Sequence, residues 1–200
     1  MIWQRALLAN LLLALGTGCT VLGPSTEPSL DPDSGEMVVA LREAVIYQKS
    51  EPGLSQSAQD FVYVGPVEGN ASGTQTLYLW VGFASTIDRD RAGVSESKFD
   101  TLVLTSDDEA IALPLEAWHE DTRNSPYAIK VPLLQSLRAR IQAADFERLA
   151  QAEQIKLALT GIDGATYAFT HLRGQWAHWQ DASAEAEIGF DIRVHTPERP

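Results

Sequence analysis

Few residues in this 200-residue chain have the type and spacing that chemistry requires. Four histidines stand at His119, His171, His178 and His195. His119-Glu120-Asp121 brings an imidazole and two carboxylates together, the side chains of a metal site or of acid–base work. Consecutive residues on a strand point to opposite faces, so the triplet reads as a solvated loop after a strand. His171 and His178 converge on an ion only if the fold brings them together. Asp107-Asp108-Glu109 supplies paired carboxylates, but on a hairpin tip, where burial cannot raise a pKa. Asp88-Arg89-Asp90-Arg91 reads as a polar loop whose charges neutralise one another. The segment Trp176-Ala177-His178-Trp179 carries two of the chain's five tryptophans, and Trp176, His178 and Trp179 read as an exposed contact surface. Trp80 reads as core. The chain contains no HExxH, GxSxG, P-loop or CxxC. No catalytic residue, metal ligand or cofactor is assigned on these grounds.

The elements that hold these residues read as mainly β. Phe61 to Val64 and Leu77 to Phe83 form strands, the second apolar on both faces and therefore central. Glu68 to Gln75 between them predicts a hairpin loop longer than two residues. Leu102 to Leu104 and Ile111 to Leu115 form a second hairpin, turned at Ser106 to Glu109, with Pro114 marking an edge or a strand end. Tyr127, Ile129 and Val131 alternate as a strand. So do Ile155, Leu157 and Leu159, which Gly161 to Gly164 turn into Tyr167 and Phe169. Ile188, Phe190, Ile192 and Val194 give the clearest alternation of all. Leu134, Leu137, Ile141 and Ala144 predict a helix over 132–152, with Pro132 in its first turn. Ala40 to Lys49 fits a short helix or a strand, and 172–186 is ambiguous. The expectation is an antiparallel, sandwich-like β domain with one or two packed helices.

The composition is that of a globular domain, 44% hydrophobic and 21% charged. A net charge of -12 argues against nucleic acid, since phosphate binding requires a basic face. It argues against anionic headgroups as the main attraction for the same reason.

The N-terminus carries the most specific signal. Arg5 precedes the apolar run Ala6 to Leu15 and the small residues Gly16, Thr17 and Gly18. That is the layout of an export signal, too short for a comfortable membrane span. Cys19, the only cysteine, ends it and has no disulfide partner in the chain. LGTGC resembles the lipobox of bacterial lipoproteins. The family places Leu three positions before the cysteine, where this chain has Gly16 with Leu15 beside it. The resemblance covers residues 1–20 and implies cleavage before Cys19 and acylation of its thiol. In Gram-negative lipoproteins Asp after the cysteine favours inner-membrane retention. Thr20 therefore implies the outer membrane, with the protein facing the periplasm.

Thr20 to Glu36 is rich in Pro, Ser, Thr and acids and reads as a tether. Its seventeen residues would span at most about 55–60 Å. The expected organisation is a signal peptide at 1–18, an acylated tether at 19–36 and one β-rich domain at 37–200. The expected function is a non-catalytic binding or accessory role in a cell-envelope assembly, with the membrane engaged through Cys19 and an envelope protein as partner. The alternative is a protein or enzyme that acts on cell-wall glycan or peptide.

Overall fold

A computed structural model describes residues 28–32, 34–89, 98–118 and 125–180. The lipobox segment, Asp90-Arg91, His119-Glu120-Asp121, the Ile188–Val194 alternation and His195 lie outside these residues. The described chain forms β1 (Ser29–Leu30), β2 (Met37–Ala40), β3 (Val45–Ser50), β4 (Gln59–Ala71), β5 (Thr74–Ser85), β6 (Phe99–Ser106) and β7 (Glu109–Pro114). Then follow β8 (Glu116–Ala117), β9 (Leu133–Arg140), helix α1 (Ala143–Gln151), β10 (Lys156–Gly161), β11 (Thr166–Arg173) and a 3-10 turn at Trp176–Trp179.

Every described ladder is antiparallel. The mainly β reading with few helices therefore holds. The strands follow one path, β7-β6-β10-β11-β3-β4-β5-β9-β8. Only Leu115 separates β7, which pairs β6, from β8, which pairs β9. The two ends of the path thus meet, and the sheet curls into a nearly closed barrel with β7 lying near β9. Closure removes most of the edge that an open sheet would expose. Pro114 ends β7, where no further ladder donor is needed.

Alternation fills the barrel. Val62 and Val64, Leu79, Val81 and Phe83, Leu102 and Leu104, and Leu157 and Leu159 all point inward and are buried. Helix α1 closes one end with Phe146, Leu149 and Ala150. The 3-10 turn lies beside it, and Trp179 stacks on Phe146 at 5.7 Å between ring centroids.

β4 and β5 are long, thirteen and twelve residues, and project past the helix end of the barrel as a wing. β3 pairs the first half of β4 and β2 pairs the second. The back of this hairpin carries a second core of Val38, Ala40, Val67, Tyr78, Trp80, Trp118 and Tyr127. Two glycines make room for it. A Cβ on Gly65 would lie 2.3 Å from the Tyr127 ring, and one on Gly82 would lie 2.2 Å from the Trp80 ring. Trp80 Nε1 donates to Ser136 Oγ at 2.9 Å, and the Tyr127 hydroxyl donates to the Pro66 carbonyl at 2.9 Å. Arg138 lies over Tyr78 and Trp118, 3.4 Å from Glu36 and 3.6 Å from Glu116.

Several expectations are corrected here. The helix over 132–152 is a strand for its first half, and α1 begins only at Ala143. β9 is covered on both faces, with Leu137 inside the barrel and Ser136 under the second core. That double burial hides the period of two. Tyr127, Ile129 and Val131 form no strand. They cross the back of the wing, where Tyr127 fills the space over Gly65. The β4–β5 hairpin turns on two residues, Ser72 and Gly73, both at positive φ. The Glu68 to Gln75 segment is strand on either side of that turn. Residues 40–49 resolve into the end of β2, a short connection and β3, and the start of 172–186 into the end of β11 and the 3-10 turn.

Part of the stretch read as a tether, from Ser29 on, is in the fold. Ser29 and Leu30 pair with Val38 and Met37. Asp31 is buried and closes the turn between β1 and β2, accepting from Ser34 Oγ at 2.6 Å. Its backbone N–H donates to the Glu36 carbonyl at 2.8 Å. A polar, Pro-rich stretch becomes ordered because β4 supplies an edge for β2, and β2 in turn for β1.

Candidate functional site

A concavity lies at the helix end of the barrel, a cleft of about 750 Å³. Three segments build it: Ala152 to Lys156 leading into β10, Phe169 to His171 at the end of β11, and Gly174 to Ala177. Gly174 sets the path of the third. Its φ is +90°, and a Cβ there would meet the Val45 Cα at 2.9 Å. Only glycine allows the chain to turn this close over the start of β3. The turn aims Trp176 down into the barrel, while Gln175 and Ala177 stay exposed.

A buried hydrogen-bond chain supports the floor. Trp176 Nε1 donates to the Tyr47 hydroxyl at 2.8 Å, and that hydroxyl donates to the Ile155 carbonyl at 3.0 Å. Burial pushes the Tyr47 hydroxyl up to about 12, against a smaller lowering by the Trp176 hydrogen bond. Tyr47 is therefore a neutral structural phenol, not a general base near pH 7. His171 packs edge-on against the Tyr47 ring at 5.5 Å. Its Nε2 lies 2.8 Å from the Gly174 carbonyl. A carbonyl only accepts, so Nε2 donates in this contact.

The cleft thus offers an apolar floor of Phe169 and Trp176 with Glu153, Lys156, His171 and Gln175 around it. Such a set can hold a small ligand by one apolar face and orient it through charges of both signs.

The exposed aromatic patch expected at Trp176, His178 and Trp179 is not formed. Trp176 is 4% exposed and Trp179 fully buried, and only His178 faces solvent. Trp179 Nε1 donates to the Glu43 carbonyl at 3.1 Å, so this end of the barrel both buries the indole and satisfies its polar atom. Trp80 is buried as expected. Asp107 and Asp108 occupy the β6–β7 turn at positive φ, and Glu109 pairs with Arg148. Arg89 does not belong to a solvated loop, because it pairs with Asp60 and both are buried. Among the described residues no three His, Cys, Asp or Glu side chains cluster as a metal site would need. Cys19 lies outside the described residues.

Sequence reasoning missed the cleft itself. Glu153, Lys156 and Tyr47 carry no motif, and they meet only because β3, β10 and β11 are neighbours in the curled sheet. Gly174 between an alternating segment and a tryptophan pair was the one local sign of a tight return. No family model, no curated protein and no solved structure matches this chain.

Proposed function

We propose that the protein is an exported envelope lipoprotein, anchored through acylated Cys19, with a non-catalytic binding or accessory role in an envelope assembly. The observation that carries this reading is the cysteine at the end of Ala6 to Gly18, an apolar run with one preceding cation and small residues before the thiol. The start of β1 supports it, because the ordered domain begins ten residues after Cys19. An anchor placed there holds the barrel beside the bilayer. Several acyl chains make such an anchor stable where one would not. Thr20 assigns the outer membrane, facing the periplasm. The test is fractionation of cells that express the chain or its Cys19→Ser variant. The unaltered chain sediments with outer membranes and the variant is released to the soluble fraction. Equal distribution of the two would refute the anchor.

The cleft favours a second reading, recognition of a short cell-wall peptide or glycan fragment. Glu153 and Lys156 supply opposite charges beside an indole floor, which suits a ligand carrying both an ammonium and a carboxylate. Trp176 lines the cleft, so its emission reports occupancy. Saturable change on adding muropeptides, lost in Lys156→Ala, would support it; no change at millimolar ligand would end it.

A further inference from the structure

The wing carries an apolar pair that the barrel does not need. Leu30 is 63% exposed and Met37 41% exposed, and the two sit directly opposite each other in the β1–β2 ladder. Large side chains exposed to this degree are few among the described residues. Val38 faces the second core, so Met37 and Leu30 point to the other side of the wing.

The described exposed residues beside the pair are uncharged, on a chain whose net charge is -12. The described exposed residues of 28–37 and 70–77 carry no charge, Ser29, Ser72 and Thr74 among them. The acids that lie nearby are turned inward or paired. Asp31 is buried in its turn, Glu36 meets Arg138, and Glu68 accepts from Gln75 at 2.9 Å. The exposed acids of the β6–β7 turn, Asp107, Asp108 and Glu109, belong to the helix end of the barrel, where Glu109 pairs with Arg148 of α1.

Nine residues separate Cys19 from Ser29. That length reaches at most about 35 Å. A thiol held in a bilayer therefore keeps the wing within one domain diameter of the lipid surface at all times. Tethering converts a weak contact into an intramolecular one, so two apolar side chains suffice where they would fail in free solution.

We propose that the β1–β2 face of the wing, through Leu30 and Met37, rests on the lipid surface and sets the orientation of the barrel. This rests on the anchor at Cys19. The open end of the barrel, with the Gly161–Gly164 turn, then points away from the bilayer. The partner is an electrically neutral, zwitterionic headgroup layer, because the wing offers apolar area without cations.

The test uses the full acylated chain, in which the thioether at Cys19 leaves an introduced cysteine as the sole free thiol. A nitrobenzoxadiazole probe is placed at Met37→Cys and, in a second protein, at Ile162→Cys in the turn after β10. Each is reconstituted into phosphatidylethanolamine–phosphatidylcholine vesicles carrying headgroup nitroxide quencher. The proposal expects a blue-shifted, quenched signal at position 37 and a water-like, unquenched signal at 162. Water-like signals at both sites in protein that floats with the vesicles overturn the wing contact and leave the anchor standing. Protein that fails to float overturns the anchor and the contact together. A blue shift at position 37 in the Cys19→Ser chain without vesicles assigns the face to a second copy and also overturns the proposal.

Discussion

The barrel interior and the back of the wing are both apolar cores, yet they are built on different principles. Strands from nearly every part of the described chain fill the interior, each by simple alternation of Val, Leu and Phe. The wing core depends on a few large rings from segments that are not long strands, Trp118 and Tyr127 foremost. Gly82 admits the Trp80 ring and Gly65 the Tyr127 ring, and one hydrogen bond fixes each of these two. The interior spreads its stability over many equivalent contacts. The wing concentrates its stability in a few contacts that cannot be exchanged. The wing also receives β1, so the first described strand is held by the region with the least redundancy.

The largest effect should fall in the interior. Trp179→Ala removes a fully buried indole that stacks on Phe146, and should cost about 3–5 kcal/mol in chemical denaturation. If wing and barrel are separable, this loss lowers protection of the whole molecule in hydrogen exchange.

Alkaline pH separates the two cores by titration. An unfolded tyrosine ionises near 10, and Tyr47 in the fold is raised to about 12. Below pH 10 both states keep the proton and its contribution is whole. Between pH 10 and 12 the unfolded chain releases the proton first, and stability falls by about 2–3 kcal/mol. Burial raises Tyr127 in the same direction. Denaturant midpoints measured from pH 8 to 12 should flatten in part for Tyr47→Phe and in part for Tyr127→Phe. A profile that neither substitution alters would show that neither phenol is buried in solution.

A smaller, local effect is expected from Gly65→Ala. The added methyl meets the Tyr127 ring and should cost about 1–3 kcal/mol. Amides of β2 should then exchange faster while those of β10 hold. The penalty should shrink in a Tyr127→Ala background, which a double-mutant cycle measures. The smallest effect belongs to the exposed surface. Arg148→Ala breaks its pairs with Glu109 and Asp145 and should cost no more than about 0.5 kcal/mol.

The interior was legible in the sequence because alternation is a local signal. Leu102, Leu104, Leu157 and Leu159 announce their strands and the face each buries. The wing was not legible, for three physical reasons. Gly69 and Gly73 read as turn formers, although Gly69 sits inside β4, where a Cβ would approach the Tyr78 ring. β9 alternates only over Leu137 to Arg140, because Leu133, Leu134 and Ser136 are covered as well, and its leucines then mimic a helical stripe. Tyr127 to Val131 alternates without a strand partner, since its role is to cover the sheet. The candidate cleft failed for another reason. Tyr47 is far in sequence from Glu153, Lys156 and His171, and the neighbouring of β3, β10 and β11 brings them together. The paired tryptophans misled because a short motif of large aromatics is the same for a surface patch and for a plug.

The anchor at Cys19 underlies both the proposed location and the orientation of the wing. Mass spectrometry of the N-terminal peptide, taken from membranes of cells that make the protein, tests it most directly. The account predicts a first residue of Cys19 carrying diacylglyceryl and acyl mass. A peptide that begins elsewhere, or a Cys19 with a free thiol, would contradict it.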